Sequence, residues 1–409
     1  MRALWVPASD PDGWRERPAT AIVQRTTGIL EMAMLRPLLI AACLAGLLGC
    51  ATPPAGTSDA LPWRDQAFGY QPGLVDVARE DLFRLDPDLL ARVQAPIPVE
   101  LSPSQKLNHL LVLVFGPDKR RFTYAGGHST TASETWRRQR GDCLSLTMLT
   151  YAVARVMGMP VQMQEVDTPV LFERRDGFDF VNQHVNVLFR RAQWSPNDES
   201  RPHDVVVDFE PDFASPRPGR PLDEDGIHAR FLNNRAVEHL AAGELALAYA
   251  HFRAAVAADP RYAASYANLA LLYRQASLPQ EAEQLLQRAV ALASQDDVVL
   301  HGLQQLLAEQ GRDGEARRYE SILQAHRSRD PYHWIAQGVR ALENGEPRKA
   351  VRALEQARGM TGNFREVHAL LALAYWRVGE PARAQQELDT LAGLGVPERS
   401  VAKLRRKFN

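Results

Sequence analysis

Three residue types that can do covalent chemistry together stand in order along the chain: Cys143, His184 and Asp208, spaced 41 and 24 residues apart. Cys143 falls in the segment RRQRGDCLSLTMLTYAVARVMGMP, whose pattern predicts a helix that begins at the thiol. Asp142 suits its N-cap, the helix runs to Met157, Gly158 is its left-handed stop and Pro160 forbids continuation. At a helix start the unpaired backbone N–H groups point outward and the macrodipole favours negative charge. Both favour the thiolate, the nucleophilic form of cysteine. The same N–H groups can serve an oxyanion hole. Gly141, without a Cβ, is read as leaving room for a substrate carbonyl. A structural cysteine sits more naturally in mid-helix on the apolar face.

A thiolate needs a base, and five histidines lie between residues 61 and 228: His109, His128, His184, His203 and His228. His184 opens the alternating run HVNVLFRR, and HDVVVDF, from His203 to Phe209, reads as a second strand. The loop between them, residues 192–202, is rich in Pro, Asn, Asp and Ser, as a hairpin requires. A register pairing Arg190 with Pro202 sets His184 directly opposite Asp208, a base and its orienter. His203 then lies at the far end, His109 has a helical context, and His228 opens the region that follows. His128, in YAGGHST, is read as a loop residue able to touch substrate. Plainer readings stand beside these: an inert core thiol, a strand histidine bonded to backbone, and an aspartate that merely ends a strand. A metal site built from the same three residues has no zinc-type spacing, so no metal and no cofactor is expected. Lys119, Arg120 and Arg121 read as a solvated turn.

These residues must be held by elements of mixed period. Residues 104–115 carry the helical stripe Leu107, Leu110, Leu111 and Val114, residues 131–138 suit a short helix, and residues 161–166 alternate as a strand. The class of residues 61–228 is therefore α+β. The second half is different. Ala248, Ala282, Ala316, Ala350 and Ala384 recur every 34 residues. Five residues before each stands Gly243, Ser277, Gly311, Gly345 or Gly379; twelve before, Ala236, Ala270, Gln304, Gly338 or Ala372; four after, Phe252, Leu286, Glu320, Leu354 or Leu388. Small residues at fixed spacing let two helices cross closely, and large apolar ones fill the crossing. The pattern resembles the tetratricopeptide repeat, a helix–turn–helix unit of 34 residues. It covers residues 229–396 in five units, weakest in the third, where Gln304 and Glu320 break it. Residues 397–409 read as a basic capping helix. The resemblance implies an all-α solenoid whose groove binds a protein or peptide. Tyr266, Tyr273, Trp334, Tyr375 and Trp376 are candidates to line that groove or to fill its core.

The chain has 409 residues, 45% hydrophobic and 24% charged, with 48 Lys and Arg against 49 Asp and Glu. That is globular composition, neither disordered nor disulfide-scaffolded, and the balanced charge gives no footprint for nucleic acid. Residues 37–49 form an uncharged apolar run after Arg36, too short for an ordinary membrane-spanning helix. Its ending, Leu47-Leu48-Gly49-Cys50, resembles the lipobox of bacterial lipoproteins. The resemblance implies cleavage before Cys50, lipidation of Cys50, and, with Ala51 following, sorting to the outer membrane to face the periplasm. Residues 1–31 are too long and too acidic for the head of such a leader, which points to a start at Met32 or Met34 rather than Met1. Residues 50–60 form the tether. Cys43 leaves with the leader, and Cys143 remains as the lone free thiol in an oxidising compartment.

The motifs Gly141-Asp142-Cys143, Gly158-Met159-Pro160, His184 opening a strand and Asp208 closing the next resemble the transglutaminase-like branch of the papain-like fold. TASETWRRQRGDCLSLT, HVNVLF, VVVDF and FLNNRAVEHLAAGELALAYAHFRAAVAADP together resemble bacterial lipoproteins that join such a domain to tetratricopeptide repeats. The resemblance implies a transglutaminase-like domain followed by a solenoid. It also implies a catalytic triad of Cys143, His184 and Asp208 that hydrolyses or transfers amide bonds, as a cysteine peptidase, amidase or acyltransferase. Val185, Asn186 and Val187 depart from the aromatic that many such proteins carry soon after the histidine. The rival reading is a non-enzymatic repeat adaptor or envelope-assembly scaffold with a vestigial thiol domain. The lipobox generates a direct test. Cys50→Ser is expected to leave an unlipidated precursor absent from the outer-membrane fraction, and normal fractionation of that variant would contradict the leader reading.

Overall fold

The computed structural model describes residues 17–19, 22–25, 61–75, 77–96, 101–117, 121–125, 128–166, 172–175, 178–181, 184–190, 204–209, 219–361, 364–394, 396 and 398–406. The leader expected at 37–49, Cys50, the expected tether at 50–60, Met32, Met34, Lys119, Arg120, His203 and the loop expected at 192–202 lie outside the described residues. The chain divides into two compact units, one ending at Ala293 and the other beginning at Ser294.

The first unit is built on a helix that the sequence announces clearly. Helix α5, Cys143–Val156, starts at the thiol, with Asp142 as its N-cap, and Gly158 follows it at φ +66°. Every residue from Leu144 to Ala154 is buried, as expected of a helix apolar on all sides. Its hydroxyls are satisfied: Thr150 donates to Leu146 O at 2.8 Å and Thr147 to Val185 O at 3.2 Å. Before it come α1 (Arg79–Leu82), α2 (Pro87–Gln94), α3 (Pro103–Phe115) and α4 (Ala132–Arg138). Thr131 and Glu134 form a capping box on α4.

Among the described residues, five strands make one sheet in the order β10 (Arg220–Leu222), β5 (Gln162–Val166), β8 (His184–Phe189), β9 (Val205–Asp208), β2 (Ile22–Arg25), all antiparallel to their neighbours. A second sheet joins β1 (Arg17–Ala19), β3 (Phe122–Tyr124) and β4 (Arg140–Gly141), and β6 (Phe172–Arg175) pairs with β7 (Phe178–Val181). The core packs Leu146, Leu149 and Val153 of α5 with Met163, Val185, Val187, Phe189 and Val207 of the larger sheet. Two strands thus come from residues 17–25.

The β8–β9 register corrects the sequence expectation. Val187 pairs with Val207 and Phe189 with Val205, which sets Asn186, not His184, opposite Asp208. A shift of two residues keeps every side chain on its own face, so hydrophobic patterning cannot distinguish the two registers.

Four helices complete the first unit as two hairpins: α6 (Glu224–Ala241) with α7 (Leu245–Ala258), and α8 (Ala263–Gln275) with α9 (Pro279–Leu292). The boundary expected between residues 228 and 229 falls inside α6. This helix is fixed to the sheet by a buried ion pair, Arg230 Nη2 to Glu165 Oε1 at 2.7 Å.

The second unit has three further hairpins, α10 (Asp297–Glu309) with α11 (Asp313–Arg329), α12 (Pro331–Glu343) with α13 (Pro347–Thr361), and α14 (Arg365–Arg377) with α15 (Pro381–Gly393), then α16 (Glu398–Arg406). The five hairpins reproduce the 34-residue period, and their conformation explains it. Gly243, Gly311, Gly345 and Gly379 all take positive φ at the interhelix turn, and Ser277 takes φ +59° in the same place. Ala236, Ala270 and Ala372 are fully buried, as are Ala248, Ala282 and Ala350. In the third hairpin only Ala316 and Leu323 of α11 are buried, which fits its weak sequence pattern. Tyr266, Tyr273 and Tyr375 are buried and Trp376 is exposed, so three of the five candidate groove aromatics are core. Ala270→Leu or Ala372→Leu is expected to overpack its helix crossing and cost about 1–3 kcal/mol. Chemical denaturation checks this, and an unchanged midpoint would contradict the crossing.

Candidate active site

The thiol is half-buried and unpaired by any disulfide. Its presentation depends on the cap one residue earlier. Asp142 Oδ1 accepts from Ser145 N at 2.7 Å and Ser145 Oγ at 2.6 Å, and Oδ2 accepts from Ser129 Oγ at 2.6 Å. Burial pushes the Asp142 carboxyl up despite these bonds from Ser129 and Ser145.

His184 and Asp208 are both buried, at 3% and 1% exposure. His184 Nε2 meets Asp208 Oδ1 at 2.7 Å, diagonally across the corrected register. Cys143 is near enough to the imidazole to act on its titration alongside Asp208. Of the three residues expected from the sequence, His184 and Asp208 are bonded directly.

The carboxylate is itself held. Asn186 Nδ2 donates to Asp208 Oδ2 at 2.8 Å, Gln164 Nε2 donates to Asn186 Oδ1 at 2.8 Å, and Gly219 N donates to Gln164 Oε1 at 3.1 Å. A Cβ at Gly219 would lie 2.2 Å from Glu165 O, so only glycine brings that N–H so close. The relay crosses β5, β8 and β9 and fixes the orientation of both amides. Sequence reasoning missed Asn186 and Gln164, although a signal was present. Asn186 lies two residues after His184 in a strand and so shares its face, and Gln164 pairs with Asn186 in register.

Burial alone would push the His184 imidazole down. The hydrogen bonds to Asp208 and Cys143, and their negative charge, outweigh it and push the imidazole up to about 10. The protonated ring therefore stabilises the folded chain fully below pH ~6.5, the unperturbed value, and this contribution is lost as pH rises towards about 10.

The other candidates fall elsewhere. Gly141 is buried, and a Cβ there would lie 2.8 Å from Ser145 Cβ and 3.1 Å from Thr135 Cγ2. Its missing side chain serves the packing of α4 on α5. His128 is exposed and paired, Nδ1 to Glu238 Oε2 at 2.7 Å, and Ser129 N donates to Glu238 Oε1 at 3.0 Å. The loop before α4 is thus fastened to α6. His109 is half-buried on α3, and His228 Nε2 donates to Val77 O at 3.2 Å. Arg121 is no part of a solvated turn. Its Nη1 donates to Leu113 O at 2.6 Å and Val114 O at 3.0 Å, closing the end of α3.

The tetratricopeptide-repeat family matches residues 341–408. Solved structures similar to the chain include MamA, 18% identical over 41% of this chain and 91% of its own, TM-score 0.23. PilF of Pseudomonas aeruginosa is 22% identical over 46% of this chain and 85% of its own, TM-score 0.25. YrrB, described as a TPR protein with an unusual peptide-binding site, is 15% identical over 44% and 92%, TM-score 0.24. No curated protein matches.

Asn186→Leu would leave Gln164 Nε2 and Asp208 Oδ2 buried without their partner, costing about 1–3 kcal/mol per orphaned group. It is expected also to slow alkylation of Cys143 at pH 6–7, because Asp208 loses its second anchor. An unchanged alkylation profile in the folded variant would show that the relay does not act on the thiol.

Proposed function

We propose that the chain is an envelope lipoprotein whose thiol domain, of transglutaminase-like type, carries out acyl transfer at amide bonds of a protein or peptide. What supports the reading is a helix-start thiol that acts on an imidazole which a buried carboxylate grips at 2.7 Å. An imidazolium beside the thiol favours the thiolate. Cys143 Sγ attacks the amide carbonyl, and the N–H groups at the start of α5 are placed to receive charge on the oxygen. His184 gives its proton to the departing amine as the C–N bond breaks, leaving a thioester and a neutral imidazole. The imidazole then takes a proton from water, whose oxygen attacks the thioester. Collapse releases the acid, returning the thiolate and imidazolium. An amine in place of water gives transamidation. Asp208 orients the ring and stabilises its charge throughout. In this reading the repeats recruit the substrate, Cys50 carries the lipid, and the protein faces the periplasm from the outer membrane.

A second reading has support of its own. The match to tetratricopeptide repeats at 341–408 fits an adaptor in which helical hairpins bind a partner protein and the thiol is idle. The two readings part at the thiol. Under the enzymatic reading Cys143 alkylates faster at neutral pH than an ordinary thiol. His184→Ala returns it to ordinary reactivity, and Asp208→Ala gives a milder loss. The measurement is alkylation rate against pH with folding checked in parallel. One slow, high-pH profile shared by all three proteins would favour the adaptor.

A further inference from the structure

Residues 61–70 lie on the first two hairpins as a peptide lies on a receptor. Residues 61–64 have no regular structure, and the following residues close one turn, with Phe68 N donating to Arg64 O at 3.3 Å and Tyr70 N to Asp65 O at 2.9 Å. Two hairpin hydroxyls hold the main chain. Tyr273 on α8 donates to Pro62 O at 2.8 Å, and Tyr249 on α7 accepts from Arg64 N at 3.0 Å. Adjacent side chains of opposite charge are matched in order. Arg64 Nη2 meets Glu281 Oε1 on α9 at 2.5 Å, and Asp65 Oδ1 meets Arg253 Nη1 on α7 at 2.6 Å. Phe68 stacks on Tyr249 with ring centres 4.7 Å apart, and the Arg253 guanidinium lies 4.8 Å from the ring centres of both Trp63 and Tyr70.

Burial of apolar area alone is non-directional and would not require this arrangement. Here the hairpins engage a backbone carbonyl, a backbone amide, a cation, an anion and aromatic rings within ten successive residues. This combination of main-chain bonds with side-chain pockets is how folded domains read peptides. Glu281 also keeps its second oxygen, Oε2, buried without a partner, a spare acceptor in the same place. None of these residues belongs to the thiol site.

We infer that Tyr249, Arg253, Tyr273 and Glu281 form a peptide-recognition site on the first two hairpins, and that residues 61–70 of the same chain are its ligand. The site reads an Arg-Asp pair followed by an aromatic three residues after the Asp, as Arg64, Asp65 and Phe68 supply. The inference is independent of the acyl-transfer reading, because its contacts need no reactive thiol.

The probe is a fluorescein-labelled synthetic peptide, LPWRDQAFGY, added to the full chain. The wild type is expected to bind it negligibly, because a tethered segment competes at an effective concentration on the order of millimolar. The full chain carrying Arg64→Ala, Asp65→Ala and Phe68→Ala is expected to bind the peptide at least tenfold more tightly. Adding Arg253→Ala and Glu281→Gln is expected to return binding to the wild-type level. Absence of the gain in a variant that melts as the wild type does would overturn the inference, as would equal binding by wild type and variant. If the triple variant folds poorly, charge exchange decides. Arg64→Glu is expected to raise deuterium uptake over residues 61–70, and Arg64→Glu combined with Glu281→Arg to restore protection. Failure of restoration would overturn the inference.

Discussion

The first unit turns on one buried pair, the imidazole of His184 and the carboxylate of Asp208. Taking two ionisable groups from water costs several kcal/mol each, about as much as their attraction returns unless further bonds satisfy what remains. The fold supplies those bonds from its sheet. Asn186 holds the second carboxylate oxygen, Gln164 holds Asn186, and Gly219 holds Gln164. This chain runs along the strand order, so the register of the sheet and the orientation of the imidazole are a single constraint. A slip of one strand would break both. The cap at Asp142 sets where α5, with Cys143 at its first position, begins beside that sheet.

The arrangement ties the thiol region to the first hairpin. Ser129 bonds both Asp142, the cap of α5, and Glu238 on α6. Arg230 of the same helix is buried against Glu165 beside Gln164. Helix α6 therefore braces the site from two sides while also beginning the repeats. A disturbance of the first hairpin has a short physical path to the cap and to the sheet.

What was legible in the sequence followed from local rules. Helix α5 had a cap, an apolar run and a glycine stop, each set by neighbours in the chain. The repeat was legible because each period carries the same left-handed turn and the same small residues at the crossing. Cys143, His184 and Asp208 were singled out by type and order, but the register that joins His184 to Asp208 was not legible. The register was misplaced by two because such a slip preserves every face, and the loop that decides it follows no strict length rule. Asn186 was read only as a missing aromatic, since its role exists only once β5 and β9 lie beside it. Gly141 was assigned to substrate because a glycine beside a thiol suggests access, whereas Ser145 and Thr135 already fill the space. Residues 61–70 and 17–25 gave no periodic signal, and their partners lie far along the chain.

The central claim is that the fold holds His184 protonated between a carboxylate and a thiol. Nuclear magnetic resonance of the ¹³C-labelled His184 imidazole across pH tests it directly. The expected result is an imidazolium throughout neutral pH that loses its proton at about 10, at lower pH in Cys143→Ala. An ordinary transition near pH ~6.5 that Cys143→Ala does not move would contradict it.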